Sequence, residues 1–224
     1  MQNNNLIELA RKLNNAGILP LFEPHQARFL IQMWRQVAKG EPVAPEQIKQ
    51  IASIVEIPFD DANALIKQAS EQDKDGNVVG FVGLSQNKHA HKFQVNGYTF
   101  STWCAWDSLF LPVMIGKKVK VESTCPATKE NIRLTITPEK VVQYAPAEAV
   151  VSIVTPQPTK SGPESVEEVW MIFCHQVHFF RSPQAASEWF WEKNFKGTFL
   201  SIEEGFELGR LAFKDILQHS ENTK

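Results

Sequence analysis

The sequence of 224 residues contains only three cysteines, an odd number that is too small for a framework of disulfide bonds. It also lacks an apolar run long enough to cross a membrane. Residues 1–6 have neither the basic start nor the apolar stretch of a signal peptide. We therefore expect a cytoplasmic protein with free thiols and no membrane partner.

The sequence also has almost no excess of charge of either sign. The net charge is −2, and no block of like charge is long enough to form a binding tail. An apolar fraction of 43% is ordinary for a globular protein, and the length suits one large domain or two small ones. Composition therefore gives no reason to expect a nucleic acid partner.

The first hundred residues show a helical pattern followed by a hairpin. Asp73–Asn77 is a strong hairpin signal, and we predict Val78–Leu84 and His91–Phe100 as the strands of this hairpin region. The last three of the four predicted helices, followed by a β-hairpin, have the element order of a winged helix. Apolar residues at helical spacing predict helices within residues 6–20, 24–38, 45–55 and 62–69.

DNA binding is the first function to weigh against that element order. The candidate recognition helix carries Asp60 and Asp61, with Glu71 just beyond, against Lys67 alone. A DNA reader needs several cations to displace counterions from phosphate. We therefore predict a winged-helix-like domain over residues 1–100 that does not bind DNA.

The second half alternates short strands with helices. A capping-box spacing at Ser201 and Glu204 predicts a final helix, and Leu111-Pro112 predicts the end of an earlier one. The predicted fold class is α+β, with a mixed α/β domain over residues 101–224 that contains a mostly antiparallel sheet. The predicted strands are Lys117–Glu122, Ile132–Thr137, Val141–Tyr144 and Val150–Val154, an exposed loop covers Thr155–Pro163, and a helix covers Pro183–Lys193.

The segment from Ser101 to Asp107 holds the first candidate site residues. Cys104 and Asp107 are three residues apart, framed by Trp103 and Trp106. If Cys104 lies in the first turn of a helix, the two side chains share a face, and the helix dipole favours a thiolate. The carboxylate is then placed to accept the proton of the thiol.

A second thiol, Cys174, lies in the apolar run Trp170–Phe180, which we interpret as a buried strand. On a strand, Cys174 and His178 share one face, so Cys104, Asp107, Cys174 and His178 form a conceivable zinc set. No compact pair of cysteines supports it. A lone cysteine in an apolar segment is more often a small core residue than a ligand, although the junction position, Asp107 and the flanking tryptophans weaken that interpretation for Cys104.

A cysteine nucleophile is the competing enzyme reading, with Cys104 activated by His175 or His178 and Asp107 orienting the base. The spacing gives this acyl-transfer arrangement little support. Cys125 is interpreted as structural, and His89 and His91 as solvated residues of the predicted wing.

Two segments resemble a known family. Trp103–Pro112, followed by Ile115-Gly116, is similar to the active-site segment of alkylmercury lyase, the organomercurial lyase of bacterial mercury resistance. Phe173–Phe180 resembles that family's second motif, although His175 stands where some members have another cysteine. The hairpin at Asp73–Asn77 and the stretch Ser123–Thr128 match as well, so the resemblance runs from about residue 25 to the C-terminal helix.

The resemblance implies protonolysis of a carbon–mercury bond, with Cys104, Cys174 and Asp107 as catalytic and metal-binding residues. It implies no organic cofactor, with Hg(II) bound as product and external thiols needed for turnover. The implied partners are organomercurial substrates, small thiols and mercuric reductase. It also implies a non-DNA-binding, winged-helix-like N-terminal part joined to a mixed α/β part. Both soft thiolates would bind R–Hg⁺, and Asp107 would act first as base and then as acid.

Overall fold

The computed structural model describes residues 2–18, 22–157 and 162–220. These residues form a mixed α+β fold, as predicted. The helices are α1 (Gln2–Asn15), α2 (Pro24–Val37), α3 (Pro45–Ile54), α4 (Phe59–Ala69), α5 (Asp107–Ile115), α6 (Val166–Ile172), α7 (Pro183–Lys193), α8 (Ile202–Ala212) and α9 (Lys214–Ser220). The strands are β1 (Ser70–Gln72), β2 (Val78–Phe81), β3 (Leu84–Ser85), β4 (His91–Val95), β5 (Tyr98–Thr102), β6 (Val119–Thr124), β7 (Asn131–Ile136), β8 (Val141–Ala145), β9 (Val150–Ile153), β10 (Phe179–Phe180) and β11 (Thr198–Ser201).

Two antiparallel sheets organise the described part of the chain. The larger has eight strands in the order β1-β2-β3-β5-β4-β6-β7-β8, and the smaller has the order β10-β9-β11. The four strands predicted between residues 117 and 154 correspond to β6 to β9, with ends shifted by no more than two residues. The predicted mostly antiparallel sheet is therefore confirmed.

The N-terminal helices form where the apolar spacing predicts them. Helix α2 starts at Pro24, which needs no hydrogen-bond partner for its nitrogen, and Gln26 caps it by accepting from the Glu23 N–H at 3.0 Å. Its Trp34 is fully buried. The leading helix ends at Asn15, and Pro20 lies outside the described residues. None of the described helices combines the length and apolar character needed to cross a bilayer.

The hairpin prediction was wrong in its pairing. The turn at Asp73–Asn77 connects β1 to β2, because Ser70–Gln72 forms the strand before it. The predicted strand Val78–Leu84 is broken by a tight turn at Val82-Gly83, where both residues have positive φ. The predicted strand His91–Phe100 is likewise folded back into β4 and β5 by Asn96-Gly97, with positive φ at both positions. Positive φ is incompatible with a continuing strand.

Helix α5 does not end at Leu111-Pro112 as predicted. It continues through Pro112 to Ile115 and stops at Gly116, whose φ of +73° terminates the helix. All its residues except Val113 are buried. Burial on nearly every side therefore outweighs the backbone hydrogen bond that Pro112 cannot donate.

Helix α8 lies close to α5 because it presents a glycine at the contact. Its capping box at Ser201 and Glu204 is present as predicted. A Cβ on Gly205 would lie 2.7 Å from Leu109 Cδ1 and 2.6 Å from Val151 Cγ1. The absence of a side chain at this position therefore sets how closely α8 approaches α5 and β9.

We predict that Gly205→Ala destabilises the protein by about 1–3 kcal/mol, because the methyl group overpacks this contact. Helix propensity alone would stabilise the variant by about 1 kcal/mol. Urea denaturation of Gly205→Ala measures the net effect, with Glu207→Ala on the same helix as a control. An alanine variant more stable than the wild type would show that the contact adapts freely.

Candidate active site

The loop between β5 and α5 places the first two candidate residues. Helix α5 starts at Asp107, so Cys104 precedes the helix and does not lie in its first turn as predicted. The two residues meet instead through the loop, because Asp107 Oδ2 accepts from the backbone N–H of Cys104 at 2.7 Å. The carboxyl group thus folds back toward the cysteine that precedes it by three residues.

Buried hydrogen bonds hold this loop in shape. Thr102 Oγ1 donates to the carbonyl of Cys104 at 2.9 Å. Trp106 Nε1 donates to the carbonyl of Gly205 at 2.9 Å, which connects the loop to α8. The N–H of Ala105 donates to the carbonyl of Val177 at 3.1 Å, which connects it to the segment that carries Cys174.

The strand predicted over Trp170–Phe180 was wrong. Helix α6 covers Val166–Ile172, a short 3₁₀ helix covers Cys174–Gln176, and only Phe179–Phe180 is a strand. Ser165 caps α6 by accepting from the N–H of Glu168 at 3.2 Å. This serine–glutamate spacing is a helix-start signal that the apolar run obscured.

Ser152 on β9 makes three of the hydrogen bonds that hold the Cys174 segment in place. Ser152 Oγ donates to the carbonyl of Gln176 at 2.9 Å and accepts from the N–H of His178 at 2.9 Å. The N–H of Ser152 donates to the carbonyl of His178 at 3.0 Å. Together with Ala105, this serine determines where the 3₁₀ turn presents the sulfur.

The fold brings Cys104, Asp107 and Cys174 together. Their Sγ and carboxylate oxygen atoms all lie within 4.8 Å of one another. Their exposed fractions are 0%, 7% and 3%, respectively. Cys125 is buried but does not belong to this group, and its structural role stays a prediction.

Burial controls the ionisation of the three residues. Burial raises the pKa of Asp107 to about 7, although the hydrogen bonds from Cys104 oppose the shift. Burial, the neighbouring Cys174 thiol and the charge of Asp107 raise the pKa of Cys104 well above its ordinary value. The hydrogen bond with Cys104 lowers the pKa of Cys174, but burial and Asp107 leave it raised. The free site therefore holds thiols, not the thiolate expected from a helix dipole.

The histidines predicted as alternative site residues lie elsewhere. His178 shares no strand face with Cys174, and its Nε2 donates to the carbonyl of His175 at 3.0 Å. Among the described residues, the candidate metal-binding group contains no histidine. Neither the zinc set nor the histidine-activated nucleophile is favoured by this geometry.

The prediction that His91 is solvated was wrong. It is 2% exposed, and its Nδ1 lies 2.7 Å from Ser123 Oγ. Burial lowers its pKa to about 3, so the imidazole is neutral. His89 is partly buried, with its Nε2 3.3 Å from Glu71 Oε1.

Two residues that the sequence analysis did not propose as site residues lie beside the site. Gly83 packs its backbone against Asp107, since an added Cβ would lie 2.6 Å from the Asp107 Cγ. Glu71 accepts hydrogen bonds from the Trp103 indole and from Asn87 Nδ2, the latter at 2.6 Å. The glycine-containing turn could have been suspected from Val82-Gly83, whereas no local signal indicates Glu71.

Glu71 remains ionised despite its burial. Burial raises its pKa, but hydrogen bonds from His89, Asn87, Trp103 and Ser85 outweigh this and lower it to about 2. The indole of Trp103 is thereby held by a fixed anion. The orientation of the residue that precedes Cys104 thus depends on a partner 32 positions away in the sequence.

Two buried thiols next to a carboxylic acid are the groups expected in a protein that binds a soft metal ion and transfers a proton beside it. The family model for MerB, the alkylmercury lyases, matches residues 84–214. Alkylmercury lyase from Bacillus cereus is 38% identical over 193 residues, covering 85% of this chain and 79% of that one. The Streptomyces lividans alkylmercury lyase is 37% identical over 206 residues, covering 91% and 90%. The chain belongs to the alkylmercury lyase family.

A solved structure supports the fold independently. The crystal structure of the mercury-bound form of MerB2 matches with a TM-score of 0.70. The match covers 95% of this chain and 98% of that one, at 22% sequence identity. The mixed α+β architecture is therefore shared along nearly the whole chain.

We predict that Asp107→Asn increases folding stability at alkaline pH. The carboxyl pKa is about 7 in the folded state against an ordinary value of 3.8, so the folded state binds more protons between these values. Wild-type stability then falls as the pH rises through this window, by up to about 4 kcal/mol for a shift of about three units. The amide does not titrate, and its oxygen still accepts from Cys104.

Urea denaturation of both proteins at about pH 5 and about pH 8 tests this linkage. The advantage of Asp107→Asn should be larger at the higher pH. A difference in unfolding free energy that is the same at both pH values would contradict the raised pKa.

Proposed function

We propose that this chain cleaves the carbon–mercury bond of organomercurials by protonolysis, with Cys104, Cys174 and Asp107 as the catalytic residues. The supporting observation is the buried convergence of two sulfur atoms and one carboxyl group within 4.8 Å. Family membership supports the same chemistry. No organic cofactor enters this mechanism.

The first step is capture of the substrate. R–Hg⁺ is a soft acid that prefers sulfur, so it binds Cys104 and Cys174 as each thiol loses its proton. One proton passes to the Asp107 carboxylate and the other leaves to solvent. Because burial keeps the free thiols protonated, the metal itself drives their ionisation.

The second step is cleavage. The two thiolates donate electron density to mercury and weaken its bond to carbon. Asp107 delivers its proton to that carbon, and the electron pair of the mercury–carbon bond forms the new carbon–hydrogen bond. R–H departs, Hg²⁺ stays on both sulfurs, and Asp107 is a carboxylate again. A pKa near 7 suits a group that accepts and then donates a proton at neutral pH.

Aromatic residues adjoin both cysteines in the sequence, and we propose that their rings keep water away from the reacting atoms. The Phe173 ring centroid lies 6.0 Å from that of Trp106, and Trp103 is 8% exposed. Trp103 also lines an apolar cavity of about 80 Å³. We infer that these rings accept an apolar organic group.

Release of Hg²⁺ requires a competing ligand, because two buried thiolates hold the ion tightly. We propose that small thiols supply it, with mercuric reductase as a further acceptor. A cytoplasmic location would place the enzyme where free thiols persist. The cysteines in the described residues are free.

We also propose that residues 1–100 are a winged-helix-like domain without DNA affinity, and that residues 101–224 form the catalytic domain. The order of α2, α3 and α4 before paired strands supports the first part. Acidic Asp60 and Asp61 lie in the first turn of α4. Strand β5 runs across the proposed boundary, so the eight-stranded sheet would be shared by both domains.

The decisive experiment incubates the purified, reduced protein with phenylmercuric acetate and excess glutathione, and measures benzene. Benzene formation above the protein-free rate supports the proposal. Absence of benzene with a folded protein would refute it. Stoichiometric zinc in the protein as purified would favour a zinc site instead.

We predict that Cys104→Ser and Cys174→Ser each abolish benzene release, because a hydroxyl is a hard and barely ionised ligand. Cys125→Ser is the matched control, since this third buried cysteine lies outside the group and should retain most activity. Circular dichroism verifies the fold of each variant. Near-normal turnover by Cys174→Ser with thiol present would disprove a mechanism that needs two sulfurs.

We predict that Asp107→Asn still captures mercury but releases R–H about a hundredfold to ten-thousandfold more slowly, since a positioned proton donor is lost. Single-turnover measurement of benzene, together with a Hg²⁺ titration, separates the two effects. Release at close to the wild-type rate would mean that the proton comes from water or from another residue.

A further inference from the structure

The turn between β2 and β3, Val82-Gly83, lies directly against the Asp107 carboxyl group. The backbone of Gly83 is so close that a Cβ on it would lie 2.6 Å from Asp107 Cγ and 2.9 Å from Oδ1. Gly83 has a φ of +90°, which a residue with a side chain rarely adopts. The position of this turn therefore limits where the carboxyl group can lie.

The residue before Gly83 is held in an unfavourable conformation. Val82 has a φ of +34°, and a β-branched residue in this region is a genuine outlier. Such a conformation persists only where the surroundings impose it. Without those surroundings, the turn would relax and carry Gly83 away from Asp107.

Three hydrogen bonds hold the turn. The N–H of Val82 donates to the carbonyl of Ala69 at 3.0 Å, and the N–H of Trp103 donates to the carbonyl of Gly83 at 3.0 Å. The third comes from a side chain, because Trp34 Nε1 donates to the carbonyl of Val82 at 2.9 Å. Substitution can remove this third bond while leaving the backbone unchanged.

Trp34 is itself held rigidly. It is fully buried on α2, and its ring centroid lies 6.0 to 6.3 Å from those of Phe81, Phe110 and Phe213. Phe81 ends the strand that leads into the turn, and Phe110 lies on the helix that Asp107 begins. The indole of Trp34 thus packs against a residue of β2 and a residue of α5. The relative position of these two elements sets the distance between the Val82-Gly83 turn and Asp107.

We propose that Trp34 is a positioning residue for the cleavage step, whose indole N–H fixes the Val82-Gly83 turn against Asp107 and so directs the carboxyl group toward the two thiols. This inference rests on the proposed function of the same site. Trp34 acts through the turn and contributes no atom to the reaction. Helix α2, in the N-terminal part of the chain, would then affect the cleavage step through Trp34.

Two replacements at position 34 separate the hydrogen bond from the ring volume. Trp34→Phe removes the donor and part of the ring, and 3-benzothienylalanine at position 34 keeps the bicyclic shape with sulfur in place of N–H. Phe29→Leu is the control, because it reduces buried volume on the same helix at a residue with no side-chain hydrogen bond. The isostere keeps the packing, so the test survives if Trp34→Phe does not fold.

We expect both replacements to slow single-turnover release of benzene by roughly tenfold to a hundredfold, since small misplacements of a reacting group have effects of this size. Hg²⁺ capture by the two thiols should stay within about twofold of wild type, because neither sulfur is displaced. Phe29→Leu should keep both properties. Exchange of the Val82 and Trp103 amide protons should accelerate in the two replacements and not in the control.

Each alternative outcome overturns the inference. Wild-type release by the benzothienyl protein would assign the effect to ring volume. Equal losses of Hg²⁺ capture and of benzene release would show that Trp34 supports the fold of the whole site and has no specific effect on Asp107. Unchanged amide exchange would show that the indole does not hold the turn, and this readout remains valid even if the wild type releases no benzene and the proposed function fails.

Discussion

The hydrogen bond from the Cys104 N–H to Asp107 Oδ2 is the constraint on which the site depends. It closes the loop before α5 so that a carboxyl group and a thiol, separated by only three residues, face the same small volume. The loop cannot move freely, because Thr102, Trp106 and Ala105 each anchor it to a different part of the protein. The loop thus positions Cys104 and Asp107, and the separate Cys174 segment completes the group by placing its sulfur beside them.

The group formed by Cys104, Asp107 and Cys174 contains no cationic side chain that would stabilise an ionised thiol or carboxyl group. Two thiols and a carboxyl group share a buried space, and each pKa is raised because ionisation there is costly. The two thiols of the free site are therefore protonated at neutral pH, whereas the carboxyl group, with a pKa of about 7, is close to half ionised and can accept or donate a proton. A cationic organomercurial would supply the missing positive charge, which makes substrate binding and proton release one event. Glu71 shows the contrast, since four hydrogen-bond donors keep it ionised close by.

The N-terminal helices are structurally part of this site. Trp34 on α2 donates a hydrogen bond to the turn that contacts Asp107, and α2 also packs against α5 and α9. Strands from both halves of the chain share the eight-stranded sheet, which runs without a break through β5 and β4 to β6. The N-terminal helices thus pack against elements that carry the candidate site residues.

Much of this could be predicted from local sequence. Apolar spacing, proline and capping residues located α2, α3, α7 and α8, since each signal acts within one or two helical turns. The pairing of Cys104 with Asp107 was also predicted correctly, but from an incorrect helical geometry. A spacing of three residues brings two side chains together in a capped loop as well as in a helix.

Other features were decided only by the tertiary structure. The apolar run around Cys174 resembled a strand because periodicity cannot distinguish a buried strand from a buried helix and turn. Its actual course depends on Ser152 and Ala105, which lie 22 and 69 residues earlier in the chain than Cys174. The strained turn at Val82 and the indole of Trp34 likewise depend on partners far apart in sequence. The sequence by itself determined which soft and acidic groups the chain offers, because residue type sets softness and acidity, whereas long-range packing decided where the Cys174 segment meets the loop that carries Cys104 and Asp107.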